Sequence, residues 1–259
     1  MNGRTARPGD EPPRCSFCIF GLIVTGKGEE ESLPGFFRSL MTRSGCSFVI
    51  VRRIGQRNPI TSPLRRLRMV GSGQVIPTED EQDIAIPARR FLRQQPCRFV
   101  VLIDDVEHDR RPVISQIFAR YRTALDTLLT PDERQRAAVH FFANMVEAYF
   151  FAHNDAVNNG LKKTVLAGDF TGDVETIPHP KNQLKHLFPG FDEIVHGAAI
   201  ISRLDLDRVL SDPHSCAFLR SLIRWCVTRL VDHCPVYDQG LPACFSLTNG
   251  IQAPLTAGQ

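Results

Sequence analysis

A continuous apolar run, "CIFGLIV" at residues 18–24, and a second strand-like stretch, "CSFVIVRR" at 46–53, bracket a stretch of helical spacing. This arrangement constrains the fold more than anything else in the chain. A strand that is apolar without alternation is buried on both faces, as in a parallel sheet covered by helices. Between the two runs, Thr25 to Gly28 read as a turn, and Glu29 to Glu31 suit the positive end of a helix dipole. Leu33, Phe36, Phe37 and Leu40 then give that helix one apolar face, and Gly45 stops it. Strand, helix and strand within about 35 residues form a βαβ unit, which dictates parallel pairing.

The rest extends the same pattern. Residues 54–80 break it with Pro, Gly, Ser and Arg and read as a long excursion. "PARRFLRQQ" (87–95) predicts a short helix and "RFVVLID" (98–104) a third strand. Pro112 opens a helix with Val113, Ile117, Tyr121, Ala124 and Leu128 at helical spacing. "AAVHFF" (137–142) predicts a fourth strand leading directly into a helix over "ANMVEAYFFAH". The expected class is therefore α/β: a mostly parallel, Rossmann-like sheet flanked by helices, with a helical C-terminal part. Its expected divisions are a disordered lead-in at 1–13, an α/β core at 14–152 and a mostly helical region at 153–259 packed on that core.

Composition excludes little. Charged residues are 23% and hydrophobic residues 42% of the chain, an ordinary globular balance. The start lacks a charged-then-apolar signal, and the longest apolar stretch is strand-sized, so a reduced cytoplasm is the expected setting and no membrane is expected. Eight cysteines are scattered singly apart from "CSFC", and a paired zinc site would need a second such pair. Cys216, Cys226, Cys234 and Cys244 could approach one another, although no spacing demands it. Six arginines crowd residues 52–68, among them Arg52, Arg53, Arg57, Arg65 and Arg66. Arg forks match phosphate oxygens, so this segment reads either as a nucleic-acid contact or as a solvated loop. "GKG" at 26–28 lacks the Walker spacing, and NTP hydrolysis is not expected.

The third strand runs into four acids, Asp104, Asp105, Glu107 and Asp109. Open α/β sheets bind ligands at the carboxyl ends of their strands. Residues two apart share a face of an extended chain, so Asp105 and Glu107 should point together and Asp104 away. Converging carboxylates repel unless a proton or a cation lies between them. Oxygen ligands of this kind are what Mg²⁺ or Mn²⁺ take, commonly for phosphate chemistry. The bland alternative is a strand stop followed by a solvated helix lead-in.

Taken together, "GLIVTGKGEEESLPGFF", "VVLIDDVE", "ANMVEAYFFAHNDAV" and the stretch beginning "IPHPKNQLKHLFPGFDEIVHGAA" resemble the Toprim-like proteins of an uncharacterised bacterial family. Members of that family are often encoded beside an ATPase in mobile or phage-defence islands. The resemblance spans roughly residues 17–226. Toprim domains of topoisomerases, primases and overcoming-lysogenisation-defect nucleases carry a Glu-Gly turn after one strand and an Asp-x-Asp after a later one, and these acids hold Mg²⁺ for phosphodiester cleavage or transfer. Here Thr25 stands where the Glu would be, and only counting from Asp105 keeps both acids of the second motif.

The resemblance implies a Mg²⁺- or Mn²⁺-dependent nuclease in a defence-type system. Glu29, Asp105 and Glu107 would be its catalytic acids, with Glu30 and Asp104 as further candidate metal ligands. Lys27 and the arginines of the 52–68 segment would hold the nucleic acid, DNA or RNA. Glu147, Lys181 and His196 stand as outer candidates around the site. For Glu147 a structural ion pair is the competing reading; for Lys181 with Lys185 it is a solvated helix face, and for His196 a plain turn before Gly197. His140 reads as a core residue. The implied partners are nucleic acid, an ATPase subunit and a second copy of the chain. Thr25 leaves a second reading open, in which a catalytically degenerate Toprim scaffold serves as a regulatory or interaction subunit of the ATPase.

Overall fold

The structure, a computed structural model, describes residues 15–60, 76–234 and 243–254. Four parallel strands are built by the four apolar runs: β1 (Cys18–Val24), β2 (Cys46–Arg53), β3 (Arg98–Val106) and β4 (Ala137–Ala143). They pair in the order β2-β1-β3-β4, with Val24 opposite Ile103 and Asp105 opposite Phe142. The chain leaves β1 toward one edge and leaves β3 toward the other. The ends of these two central strands therefore flank the switch point where doubly wound sheets form their ligand crevice.

Helices cover both faces, which is why the central strands tolerate no polar alternation. On one face lie α1 (Lys27–Phe36), α2 (Arg38–Arg43) and the C-terminal helices α6 (Asn154–Leu161), α7 (Pro180–Leu187), α8 (Val195–Ile201), α9 (Leu206–Val209) and α10 (Ala217–His233). Phe20, Phe37, Phe48 and Phe99 pack their rings into this layer. The opposite face holds α3 (Ile86–Leu92) and α4 (Ile114–Leu128), whose Ile117, Tyr121 and Leu125 meet Val100, Leu102 and Val106. A short α5 (Pro131–Gln135), capped by Thr130 accepting from Glu133 N, returns the chain to β4. The predicted strands and the α3 and α4 helices agree with this architecture. Among the described residues no helix is long and apolar enough to cross a membrane.

Three readings are corrected. The segment after β4 does not run directly into a helix, because Asn144 and Met145 take positive φ (56° and 79°) and break the chain direction. The chain continues instead as a 3-10 turn, Val146–Ala152. His196 and Gly197 are not a turn but lie in the first turn of α8. The cysteines do not all stand singly, since Cys15 is joined to Cys97 by a disulfide across 82 residues, while the Sγ of Cys18 lies 3.2 Å from that of Cys234. The 1–13 lead-in, Arg65, Arg66 and most of the excursion fall outside the described residues, as does the side chain of Cys244.

α10 begins buried, and its first turn receives no side-chain cap from Cys216. Glu175 supplies the missing acceptor, taking the N–H groups of Phe218 and Leu219 (both 3.1 Å) and the Tyr149 hydroxyl (2.7 Å).

His140 is core, as its place in β4 suggests. It is 1% exposed, neither ring nitrogen has a partner among the described residues, and burial pushes its pKa down to about 3. A depressed folded-state pKa means that the unfolded chain takes up the proton first, so stability is lost as pH falls below the ordinary value of 6.5. The expected loss from this residue is about 2 kcal/mol by pH 5, at about 1.4 kcal/mol for each pH unit. Urea titrations of His140→Leu should show that component of the slope removed, with stability at pH 7 within about 1 kcal/mol of wild type. An unchanged slope would mean that the imidazole is solvated.

Candidate functional site

β1 ends in Thr25 and Gly26, and α1 begins at once, so its first-turn acid Glu29 folds back over the strand end. The Glu29 carboxylate accepts from the Gly26 N–H. A Cβ on Gly26 would fall 2.6 Å from Glu29 Oε2, so a side chain there would displace this carboxylate from its place over the strand end. β3 ends beside it, and its alternation sorts the two aspartates onto opposite faces.

Asp104 points into the α4 layer. It is fully buried and accepts from Thr25 Oγ1 (2.9 Å), Tyr121 Oη (2.9 Å) and Arg110 Nη2 (2.8 Å). Arg110 also donates to the Arg57 carbonyl. The charge is thus paired and hydrogen-bonded as a buried carboxylate requires.

Asp105 points the other way, toward α1 and the 3-10 turn. Its carboxyl lies against that of Glu29, and its Oδ1 is buried with no hydrogen-bond partner among the described residues. Burial first, then the charge of Glu29 and of Glu147, hold its pKa well above the usual carboxylate range. Burial likewise raises Glu29 and pushes Glu147 up to about 7. Three acids, from a strand end, a helix start and the turn after β4, therefore converge in one poorly solvated place. Met145, whose φ of 79° departs from ordinary backbone, delivers the turn that carries Glu147.

These groups line a cleft of about 680 Å³ with Thr25, Lys27, Gln56, Glu107, Lys181, Lys185 and Glu193. Glu107 is half-exposed and lies 3.8 Å from His179 Nδ1. Lys181 (2.6 Å) and Lys185 (3.4 Å) both reach Glu193. Lys181 and Lys185, with Glu193 and Asp192 beside them, thus give the cleft a wall of mixed charge. Among the described residues no group of three or more His, Cys, Asp or Glu side chains could hold a metal ion as it stands.

The residues singled out by sequence divide accordingly. Glu29, Asp105, Glu107, Glu147, Lys27 and Lys181 meet in the cleft. Asp104 and Glu30 do not, since Asp104 faces α4 and Glu30 pairs with Arg53 at 3.1 Å. Arg52 pairs with Asp83. Arg57 is nearly buried against Glu79, Asp80 and Asp83, so it braces the fold instead of presenting a free fork to a ligand. His196 Nδ1 accepts from Asp192 N (2.8 Å), and its ring lies beside Phe188 and Phe191.

Sequence reading missed Arg110, Tyr121 and Glu193. Tyr121 carries only the signal of helical packing, and Arg110 and Glu193 stand in polar loops whose side-chain direction no periodicity reports.

A solved structure of the C-terminal region of the OLD protein of Xanthomonas campestris pv. campestris is similar with a TM-score of 0.35 and 12% identity, over 73% of this chain and 87% of that one. No curated protein matches the chain significantly. The family model described as "Domain of unknown function (DUF4276)" matches residues 24–223, well over half of the chain, and the protein belongs to that family.

Proposed function

We propose that the cleft binds a divalent cation, Mg²⁺ or Mn²⁺, and that the protein is a Toprim-like nuclease acting on phosphodiester bonds of nucleic acid. One observation carries the reading: the buried Asp105 carboxyl lies against that of Glu29, with Glu147 close by, and keeps an oxygen without a partner among the described residues. Carboxyl groups in such contact demand a proton or a cation between them. The donor set fits a hard ion. Mg²⁺ needs only one or two carboxylates, with water and substrate phosphate completing its shell, so a ready-made cage of three ligands is not required.

In this proposal Glu29 and Asp105 hold the ion and Glu107 completes the acidic side from the rim. Asp104 and Glu30 are left out, because their charges are already matched by Arg110 and Arg53. When bound, such an ion supplies Lewis acidity for phosphodiester hydrolysis. The chain does the rest. Lys181 and Lys185 offer charge to a phosphate on the opposite wall, at the expense of their contacts to Glu193. Glu147, with its pKa near 7, exchanges a proton in the neutral range. Lys27, 61% exposed at the mouth, meets the nucleic-acid backbone.

A second reading has its own observation. Thr25, at the position of the Toprim Glu, donates its hydroxyl to Asp104 and so serves the packing beneath the cleft. A scaffold that had given up catalysis to serve an ATPase partner would retain such packing.

Calorimetric titration of Mn²⁺ into wild type and Asp105→Ala/Glu107→Ala tests the proposal. Saturable binding, weakened at least about tenfold in the variant, is expected, equivalent to about 1.4 kcal/mol or more. Cleavage of DNA or RNA by the wild type alone would then establish the nuclease. Absence of binding in the wild type would overturn it in favour of the interaction subunit.

A further inference from the structure

At the opposite end of the sheet, where β4 begins, a second recess of about 540 Å³ opens between α4, α10 and the α5 turn. Phe118, Arg122 and Asp126 line it from successive turns of α4, Trp225 and Arg229 from α10, and Arg134, Gln135 and Ala137 from the floor. It shares no residue with the acidic cleft. β4 is seven residues long, which separates the two by about 20 Å.

The walls are of two kinds. Trp225 rests its inner side on Phe20, Phe99 and His140, at ring distances of 6.2, 6.3 and 6.1 Å, and so is held firmly while its ring stays only partly buried. Phe118 is also partly buried. These are large aromatic faces left at a concave surface. Among them stand three guanidinium groups with one carboxylate.

Arg122 is spent, for it grips Asp126 and donates to the Ala137 carbonyl (2.7 Å), cancelling the acid. Arg134 bonds the Leu129 and Asp126 carbonyls through Nε and Nη2. Its Nε also lies 3.7 Å from Asp126 Oδ1, its Nη1 has no partner among the described residues, and the side chain is 45% exposed. Arg229 lies over Trp225 with its Cζ 6.0 Å from the ring centre. It reaches the exposed Asp232 through Nη2, and its buried Nε has no partner among the described residues. The recess therefore offers partly exposed aromatic surface beside two guanidinium groups that are each only partly engaged by the protein.

We propose that this recess binds a nucleobase–phosphate unit, the base stacked on Trp225 and Phe118 and the phosphate held by Arg134 and Arg229. Aromatic stacking accepts any base, and a guanidinium group donates to phosphate oxygens. The volume lies within the ~300–1,000 Å³ of small-ligand sites. The unit could come from a free mononucleotide or from a single-stranded nucleic acid, and the two sources share this chemistry.

Trp225 is the single tryptophan of the chain, so its fluorescence reports on this recess alone. The full chain is titrated, with EDTA present, with AMP and GMP, with adenosine, with inorganic phosphate and with a short oligodeoxyadenylate, and calorimetry serves as the second readout. A saturable change with mononucleotide is expected, with adenosine and phosphate each at least about tenfold weaker because each lacks half of the contact. Saturation by the oligomer but not the mononucleotide would assign the site to nucleic acid, still through the same unit.

Arg134→Gln/Arg229→Gln should weaken binding by at least about tenfold while circular dichroism and the melting temperature stay unchanged. Asp105→Ala/Glu107→Ala should bind as wild type does, which separates this site from the acidic cleft. No saturable change with any ligand, or a change that the arginine double variant leaves intact, overturns the proposal.

Discussion

Arg110→Met should destabilise the protein by about 3–5 kcal/mol, the usual cost of stranding one member of a buried ion pair. Asp104 is fully buried, and its three partners, Thr25, Tyr121 and Arg110, come from three different parts of the chain. Only Arg110 brings charge. Without it the carboxylate must either remain ionised in an apolar layer or take up a proton, and both cost stability at neutral pH. Asp104→Asn/Arg110→Met should recover most of the loss, because the amide removes the buried charge. Thr25 and Tyr121 donate to different oxygens of Asp104, so the amide oxygen accepts from one hydroxyl and its NH2 donates to the other. Urea unfolding of the singles and the double, read as a double-mutant cycle, checks this. A loss below about 1 kcal/mol in Arg110→Met would mean that Asp104 is not held as a carboxylate.

The acidic cleft should reveal itself as a stability defect that depends on pH. Glu147 has an ordinary pKa of 4.5 and a folded-state value of about 7, raised by burial. A raised folded-state pKa means that the stability this group contributes is fully present below pH 4.5 and is lost as pH rises through 7. The loss is about 3 kcal/mol by pH 8, at about 1.4 kcal/mol for each pH unit between the two values. Glu147→Gln should therefore be more stable than wild type by about that amount at pH 8, and nearly equal to it at pH 4.5. Between 4.5 and 6.5 the effect opposes that of His140, so the wild-type profile is flatter there than either variant's. Saturating Mn²⁺ at pH 8 should restore about 2.7 kcal/mol to the wild type at a hundredfold excess over Kd. If Glu147→Gln gains nothing at pH 8, that carboxylate is solvated and the cleft is wetter than its geometry indicates.

Much of this architecture can be read from residue order. β1, β3 and β4 announce themselves because they are buried on both faces and leave apolar runs with little alternation, whereas the edge strand β2 is buried only in part. The pairing of Asp105 with Glu107 on one side follows from the two-residue period of extended chain, and the approach of Glu29 from the demand of a helix start for an acid. The hidden part is whatever depends on distant chain or on irregular backbone. Tyr121 has the same helical spacing whether its hydroxyl is idle or bonded to Asp104. The positive φ of Asn144 and Met145 has no glycine to mark it, so the 3-10 turn that delivers Glu147 reads as helix. The arginines of β2 and its sequel look like a phosphate-binding strip until Glu30, Asp83 and Asp80 are seen to meet them.

The bond between Cys15 and Cys97 joins the approach to β1 with the approach to β3, the two strands whose far ends form the cleft. It turns the first βαβ unit, β2 and α3 into a covalent ring, and everything from Arg98 onward hangs from that ring as a tail. A backbone cut anywhere between residues 16 and 96 opens the ring without dividing the molecule. The two central strands would stay tethered across the break, so Glu29 and Asp105 would remain on one covalent body even after the chain between them had been severed.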